Sequence, residues 1–133
     1  MTLDALPVCV IMGKANEHDS RKLIPLVEEM REKGRKPKKV YADKAYSTFI
    51  VRWYLGKRRI SAQIPSRAIK RRPGRPIKMD EDAYKKRRSS VERFFSMLKG
   101  GFRRLAIRYE RLATTFLAFV KIACFLIRWR VLK

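Results

Sequence analysis

In the stretch SSVERFFSMLKGGFRR, residues 89–104, Glu92 is the only acid among basic and apolar neighbours. On a helix advancing about 100° per residue, Arg88, Glu92 and Lys99 fall within one narrow sector. Two kinds of chemistry fit that arrangement. One is a surface i,i+4 ion pair between Arg88 and Glu92, which stabilises a helix by about 0.2–0.5 kcal/mol. The other is a divalent cation held by Glu92, which reverses the sign the carboxylate shows to a polyanion and turns it into a phosphate-binding group. Asp43 is the second candidate. It ends the run KKVYAD just before a helical pattern, where α/β folds place ligand-binding groups. A turn-capping aspartate is the other reading of that position.

The elements that must position these acids follow from the apolar pattern. LPVCVIM (Leu6–Met12) is a short β-branched run closed by Gly13 and predicts a buried strand. Asp19 or Ser20 then caps a helix through SRKLIPLVEEMREKG. Its apolar stripe is Leu23, Leu26, Val27 and Met30, and Gly34 ends it. KKVYAD is a second strand. Ser47 or Thr48 opens a helix through TFIVRWYLGKRR, with Ile50, Trp53 and Tyr54 at helical spacing. ISAQIP (Ile60–Pro65) is a third strand, and a long helix runs from about Asp82 to Lys99. On it Val91, Phe95, Leu98 and Phe102 form an apolar stripe beside the line of charges. The order is strand, helix, strand, helix, strand, then helices, which is an α/β layer fold.

Composition narrows the partner. The 133 residues suit one domain, 1–133, with a modest core, and 46% of them are apolar. Against 12 Asp and Glu stand 34 Lys and Arg, a formal net charge of +22. Small neutral substrates need no such excess, whereas a polyphosphate does, because each cation placed at a phosphate releases a condensed counterion. Seven of the twelve acids lie in residues 1–43, so the remainder of the chain is the more cationic surface. Residues 66–81 are rich in Pro, Gly and Arg and read as an exposed linker. Their RRPGRP core, with Arg71, Arg72 and Arg75, resembles an AT-hook, a short arm for the minor groove, and also suits a solvated basic loop.

Other classes are excluded. Cys9 and Cys124 have no CxxC spacing, and His18 is the sole histidine, so a structural zinc site lacks ligands. Two distant cysteines make no disulfide framework, in keeping with a reducing cytosol. No secretory signal opens the sequence. The run TTFLAFVKIACFLIRW (Thr114–Trp129) is interrupted by Lys121 and falls short of the ~20 apolar residues a bilayer span requires. It predicts a buried core helix and no membrane partner.

Three blocks now acquire a common meaning: ANEHDSRKLIPLVEE, KKVYADKAYST, and ERFFSMLKGGFRRLAIRYERLATTFLAFVKIACFLI. Together they resemble the DDE transposases of bacterial and archaeal insertion sequences. That family's signature runs Tyr, two residues, Arg, three residues, Glu, six residues, Lys. Arg88, Glu92 and Lys99 match the spacing; Lys85 stands where the tyrosine belongs, with Tyr84 one step early.

The resemblance implies a ribonuclease H-like fold, a mixed sheet flanked by helices with the long hydrophobic helix at its C-terminal end. It implies that Asp43 and Glu92 are the second and third acids of a catalytic triad binding Mg²⁺ or Mn²⁺. Arg88 and Lys99 then contact transposon-end DNA, with Arg87, Arg103, Arg104, Arg71, Arg72 and Arg75 as further DNA-binding cations. The implied partner is double-stranded DNA, both transposon ends and target, in a cytoplasmic, nucleoid-associated setting.

The family's first aspartate lies on the first strand of a three-strand meander. Asp4 does not fit that role, because it lies only fifteen positions before Asp19 and two more strands need more room. Asp19 is read as a helix N-cap. The expectation is therefore an incomplete ribonuclease H-like fold lacking the first strand and its acid. Activity would require the N-terminal part of the transposase, or a second copy in a homodimer. Two other readings stay open, a non-catalytic DNA-binding remnant or repressor and an RNA-binding protein of ribosomal type.

Overall fold

The structure, a computed structural model, describes residues 7–13, 17–66, 79–106 and 112–131, without the side chains of Arg104 and Ala106. It is mixed α/β. The chain divides into two compact units, Gly13–Lys85 and Met1–Met12 with Lys86–Lys133.

The unit of Gly13–Lys85 is built from two helix-to-strand passages. Helix α1 spans Ser20–Glu32 and β1 spans Lys39–Tyr41; α2 spans Phe49–Lys57 and β2 spans Ser61–Gln63. The strands are parallel, with Lys39 opposite Ser61, Val40 opposite Ala62 and Tyr41 opposite Gln63. Parallel neighbours need a crossover, and α2 supplies it, giving a β-α-β unit.

Both helices end in the same hydrogen-bonded motif. After α1, Gly34 N–H donates to Arg31 O at 2.9 Å and Arg35 N–H to Met30 O at 3.0 Å. After α2, Arg59 N–H donates to Gly56 O at 3.0 Å and Ile60 N–H to Leu55 O at 2.9 Å. These are Schellman caps, which need one residue in the left-handed region. Gly34 takes it at φ 74°, and Arg59 takes it at φ 56°.

The core of this unit joins Leu23 and Val27 of α1, Val51, Tyr54 and Leu55 of α2, and Ile60 and Ile64 flanking β2. Leu55 and Ile64 are fully buried. The buried stripe of α2 therefore differs from the one expected. Tyr54 is inside, but Ile50 and Trp53 are exposed, and Val51 and Leu55 take the inner positions. On α1, Leu23 and Val27 are buried while Leu26 and Met30 are half-buried.

In the other unit, α3 (Glu81–Gly101, which begins in the preceding unit), α4 (Arg103–Ala106) and α5 (Ala113–Val131) carry the structure. Phe94 and Leu98 of α3 pack with Ala123, Cys124 and Ile127 of α5, and Val10, Phe102, Leu105 and Val120 border them. Three expectations are corrected here. Pro7–Met12 forms no strand; a strand requires a ladder partner, and Val10 instead packs on this helical cluster. The inner line of α3 is Phe94 and Leu98, one turn apart, and Val91 and Phe95 face outward. Helix α5 buries a single narrow face and exposes Ile122, Phe125, Leu126 and Trp129, so it is not a fully buried core helix. No described helix is long and apolar enough to cross a membrane. The strand expected over residues 60–65 is present as β2, so the sheet has two strands among the described residues. Residues 67–78, and with them Arg71, Arg72 and Arg75, lie outside those described, as does Asp4.

Candidate functional site

Asp43 stands two residues beyond β1, at the carboxyl end of the parallel strands. Its backbone is extended (φ −68°, ψ 162°), and it caps a 3-10 turn over Lys44–Tyr46. The Lys44 N–H donates to Asp43 Oδ1 at 2.7 Å, and the Tyr46 N–H donates to Asp43 O at 2.9 Å. The turn-capping reading of Asp43 is thus realised, yet its carboxylate remains exposed to solvent. Ala42 and Tyr46, on either side, pack against the core. This anchors the backbone of Asp43 while its acid group faces outward. Burial raises the Tyr46 phenol above its ordinary pKa, and the charges of Asp19 and Asp43 push the same way. Both carboxylates therefore act on one hydroxyl.

Asp19 sits at the N-cap position of α1, but its side chain makes no capping bond. The neighbouring His18 does that work: the Ser20 N–H donates to its Nδ1 at 3.2 Å, and Nδ1 is 2.8 Å from Ser20 Oγ. The side-chain cap expected of Asp19 is absent: His18 takes the Ser20 N–H, and the next two, Arg21 and Lys22, donate to the backbone carbonyls of His18 at 3.0 Å and Asp19 at 2.9 Å.

Two residues missed from sequence organise the carboxyl end of the sheet. Arg52 of α2 is half-buried and donates to Ser47 Oγ through Nε at 3.2 Å and Nη2 at 3.0 Å. The same Nη2 reaches the Ile64 carbonyl at 2.8 Å. One guanidinium thus ties the segment that follows Asp43 to the residue that follows β2. Loss of water around it lowers its pKa. Gln63, buried at the end of β2, accepts the Asp80 N–H on Oε1 at 2.9 Å and donates to Ser61 Oγ at 2.9 Å. Asp80 in turn caps α3, its Oδ1 accepting the Ala83 N–H at 3.0 Å. The start of the helix that bears Glu92 is therefore fixed to the end of a strand. A polar residue inside a strand pattern, and an arginine four residues after a helix cap, are the signals that could have found them.

Glu92 is held differently. Arg88 Nε donates to its Oε1 at 3.0 Å, and both side chains are about two-thirds exposed (66% and 64%). The i,i+4 ion pair expected on helical geometry is present. Lys99 and Arg103 are exposed on the same unit and Arg87 is half-buried. Asp43 belongs to the unit of Gly13–Lys85 and Glu92 to the other. Among the described residues no three of His, Cys, Asp and Glu gather closely enough to hold a metal ion.

These features define a class: an α/β domain with a β-α-β unit, a carboxylate exposed at the carboxyl end of its parallel strands, and a strongly cationic sequence. The particular family follows from comparison with known proteins. The family model described as Transposase DDE domain matches residues 2–128. A Burkholderia cepacia protein named as a transposase for insertion sequence element IS402 is 34% identical over 134 aligned residues. The alignment covers 96% of this chain and 59% of that relative, so the chain spans little more than half the relative's length. No solved structure matches it. The chain belongs to the Transposase DDE domain family.

Proposed function

We propose that this chain is part of the catalytic domain of an insertion-sequence transposase, ribonuclease H-like in fold, in which Asp43 and Glu92 are two of the cation-binding acids. The observation that carries the reading is the setting of Asp43. It is an anchored but solvent-facing carboxylate at the carboxyl end of a parallel strand, inside a chain of this family. Hard carboxylate oxygens suit Mg²⁺ or Mn²⁺. A pair of such ions, when bound, activates the attacking oxygen and stabilises the leaving oxygen of a phosphodiester displacement. The chain's residues supply the rest. Asp43 brings a carboxylate whose backbone is already fixed. Glu92 would hold a cation with the carboxylate that pairs with Arg88 here, and Arg88 would then contact a phosphate. Lys99, Arg87, Arg103 and Arg104 neutralise the DNA backbone near the reacting bond, and Arg71, Arg72 and Arg75 are further cations for DNA.

A third acid is supplied by a segment outside these assignments, from the rest of the transposase or a second copy. In this reading the chain alone binds the duplex ends of its element, in the nucleoid, without cutting them. Gel-shift titration with duplex ends and Mg²⁺ tests this. Binding strengthens with Mg²⁺ in the native chain and loses that dependence in Asp43→Ala and Glu92→Ala. Nicking by the purified chain that persists in both variants would remove the assignments. A second reading, binding without chemistry, draws on the existing Arg88–Glu92 pair. It gains if affinity ignores both the metal and the two substitutions.

A further inference from the structure

The outer face of α2 has no part in the core, yet it is the most aromatic exposed surface of the Gly13–Lys85 unit. Phe49 is 77% exposed, Ile50 66% and Trp53 56%, while Val51, Tyr54 and Leu55 satisfy the burial of the same helix. Phe49 and Trp53, four residues apart, lie on one side of the helix, and Lys57 follows one turn later. The Lys57 ammonium is 5.1 Å from the centre of the Trp53 ring. We propose that this face is a stacking surface for unpaired nucleotides, Phe49 and Trp53 meeting the bases and Lys57 the adjoining phosphate.

Charge decides between the partners such a face could serve. From Lys44 through Met79 the sequence holds eleven Lys and Arg and no Asp or Glu. Among the described residues of that stretch, Arg52, Lys57, Arg58 and Arg59 belong to α2 or directly follow it, and a polyanion that also presents flat π-faces satisfies both the rings and the cations of this helix. Aromatic platforms inside positive surfaces bind single strands in this way, with little regard to sequence. Intact duplex does not offer the same contact, because its base faces are covered by neighbouring bases. A cation about 5 Å from a stacking ring is also within reach of the phosphate of a stacked nucleotide. The exposed rings of α5 are arranged otherwise. Phe125 and Trp129 stack on each other, centroids 6.2 Å apart at 30°.

This inference rests on the DNA-binding reading above and adds a contact for strand ends that have lost their pairing. The test uses the full chain with Trp129→Phe, which leaves Trp53 as the one tryptophan emitter. Unlabelled oligothymidylate and a duplex of matched length are the probes. We expect oligothymidylate to quench Trp53 emission. We also expect the double variant Phe49→Ala, Trp53→Ala, in which isothermal titration calorimetry replaces the lost tryptophan signal, to lose roughly tenfold in single-strand affinity, with duplex affinity unchanged. Trp53→Phe, which keeps a ring, should retain most of the binding. Unquenched emission, an unaltered single-strand affinity or an equal loss for both probes overturns the stacking surface. A fall in sedimenting mass on Phe49→Ala, Trp53→Ala overturns it too, by showing that a second chain covers the face. If the native chain binds duplex and only the single-strand difference fails, the earlier reading stands; if it binds neither probe, both fall.

Discussion

Asp43 and Glu92 present the same functional group from opposite kinds of support. Asp43 is fixed by backbone: an extended residue after a parallel strand, a 2.7 Å bond from the Lys44 N–H, and neighbours Ala42 and Tyr46 packed on the core. Glu92 is fixed by a side chain alone, a 3.0 Å bond from Arg88 on the open surface of a helix. Moving the backbone that carries the first carboxylate means disturbing the core, whereas moving the second carboxylate means exchanging one exposed partner. The proposed roles differ accordingly: Asp43 offers a carboxylate on a fixed backbone, and Glu92 offers one that can turn.

The largest effect should come from removing what makes Asp43 rigid. Leu55 is fully buried in the cluster that Ala42 and Tyr46 border. Leu55→Ala should cost about 2–5 kcal/mol, the range for a leucine cavity that cannot fully collapse. Urea denaturation followed by circular dichroism measures it. A loss below 1 kcal/mol would mean that the turn bearing Asp43 does not depend on this core.

Next is the guanidinium that ties the two strand ends. Arg52→Ala removes the bonds to Ser47 Oγ and leaves the Ile64 carbonyl without that donor. Losing a charged donor to a carbonyl of a buried residue costs about 1–3 kcal/mol. Arg52→Lys should recover only part of it, because an ammonium lacks the planar fork that spans both partners. Full recovery by lysine, in the same denaturation assay, would reduce Arg52 to a simple charge.

A smaller change of opposite sign is expected at the second Schellman cap. Arg59 occupies the left-handed region that Gly34 occupies in the equivalent cap of α1. A non-glycine residue pays about 1–2 kcal/mol there, partly offset in glycine by greater freedom in the unfolded chain. Arg59→Gly should therefore raise stability by roughly 0.5–1 kcal/mol, read as a shift in the urea midpoint. A fall in the midpoint would show that the Arg59 side chain contributes more than its backbone strain costs.

How far these features were legible in the sequence differs between the two acids. Strands β1 and β2 and helices α1 to α3 announce themselves by β-branched runs, helical spacing and turn residues, and Asp43 follows from the end of KKVYAD. Local rules suffice because each of these elements lies within a few residues of its own signals. The inward faces were less legible. Three apolar residues in succession, Phe49, Ile50 and Val51, leave the period ambiguous, and packing by Leu23, Val27 and Ile64 selects Val51. LPVCVIM has the composition of a strand, but composition does not supply a pairing edge. Arg52 and Gln63 were missed because their partners are set by tertiary geometry; Arg52 reaches a carbonyl twelve residues away. His18, whose partner Ser20 is local, was missed because histidine is not among the usual capping residues.

The smallest expected effect concerns Glu92 and most directly probes the contrast with Asp43. A solvent-exposed i,i+4 pair contributes about 0.3–0.5 kcal/mol and is screened by salt. Glu92→Gln should accordingly change folding stability by no more than that, and the difference should vanish near 1 M salt, where the Debye length falls to about 3 Å. The substitution also removes one negative charge from a helix whose neighbours are cations, so metal-free affinity for duplex DNA should rise slightly. A stability loss well above 0.5 kcal/mol that persists in high salt would mean Glu92 is a structural residue, as firmly placed as Asp43. It could not then release Arg88 to a phosphate, and the division between a fixed acid and a turning one would be lost.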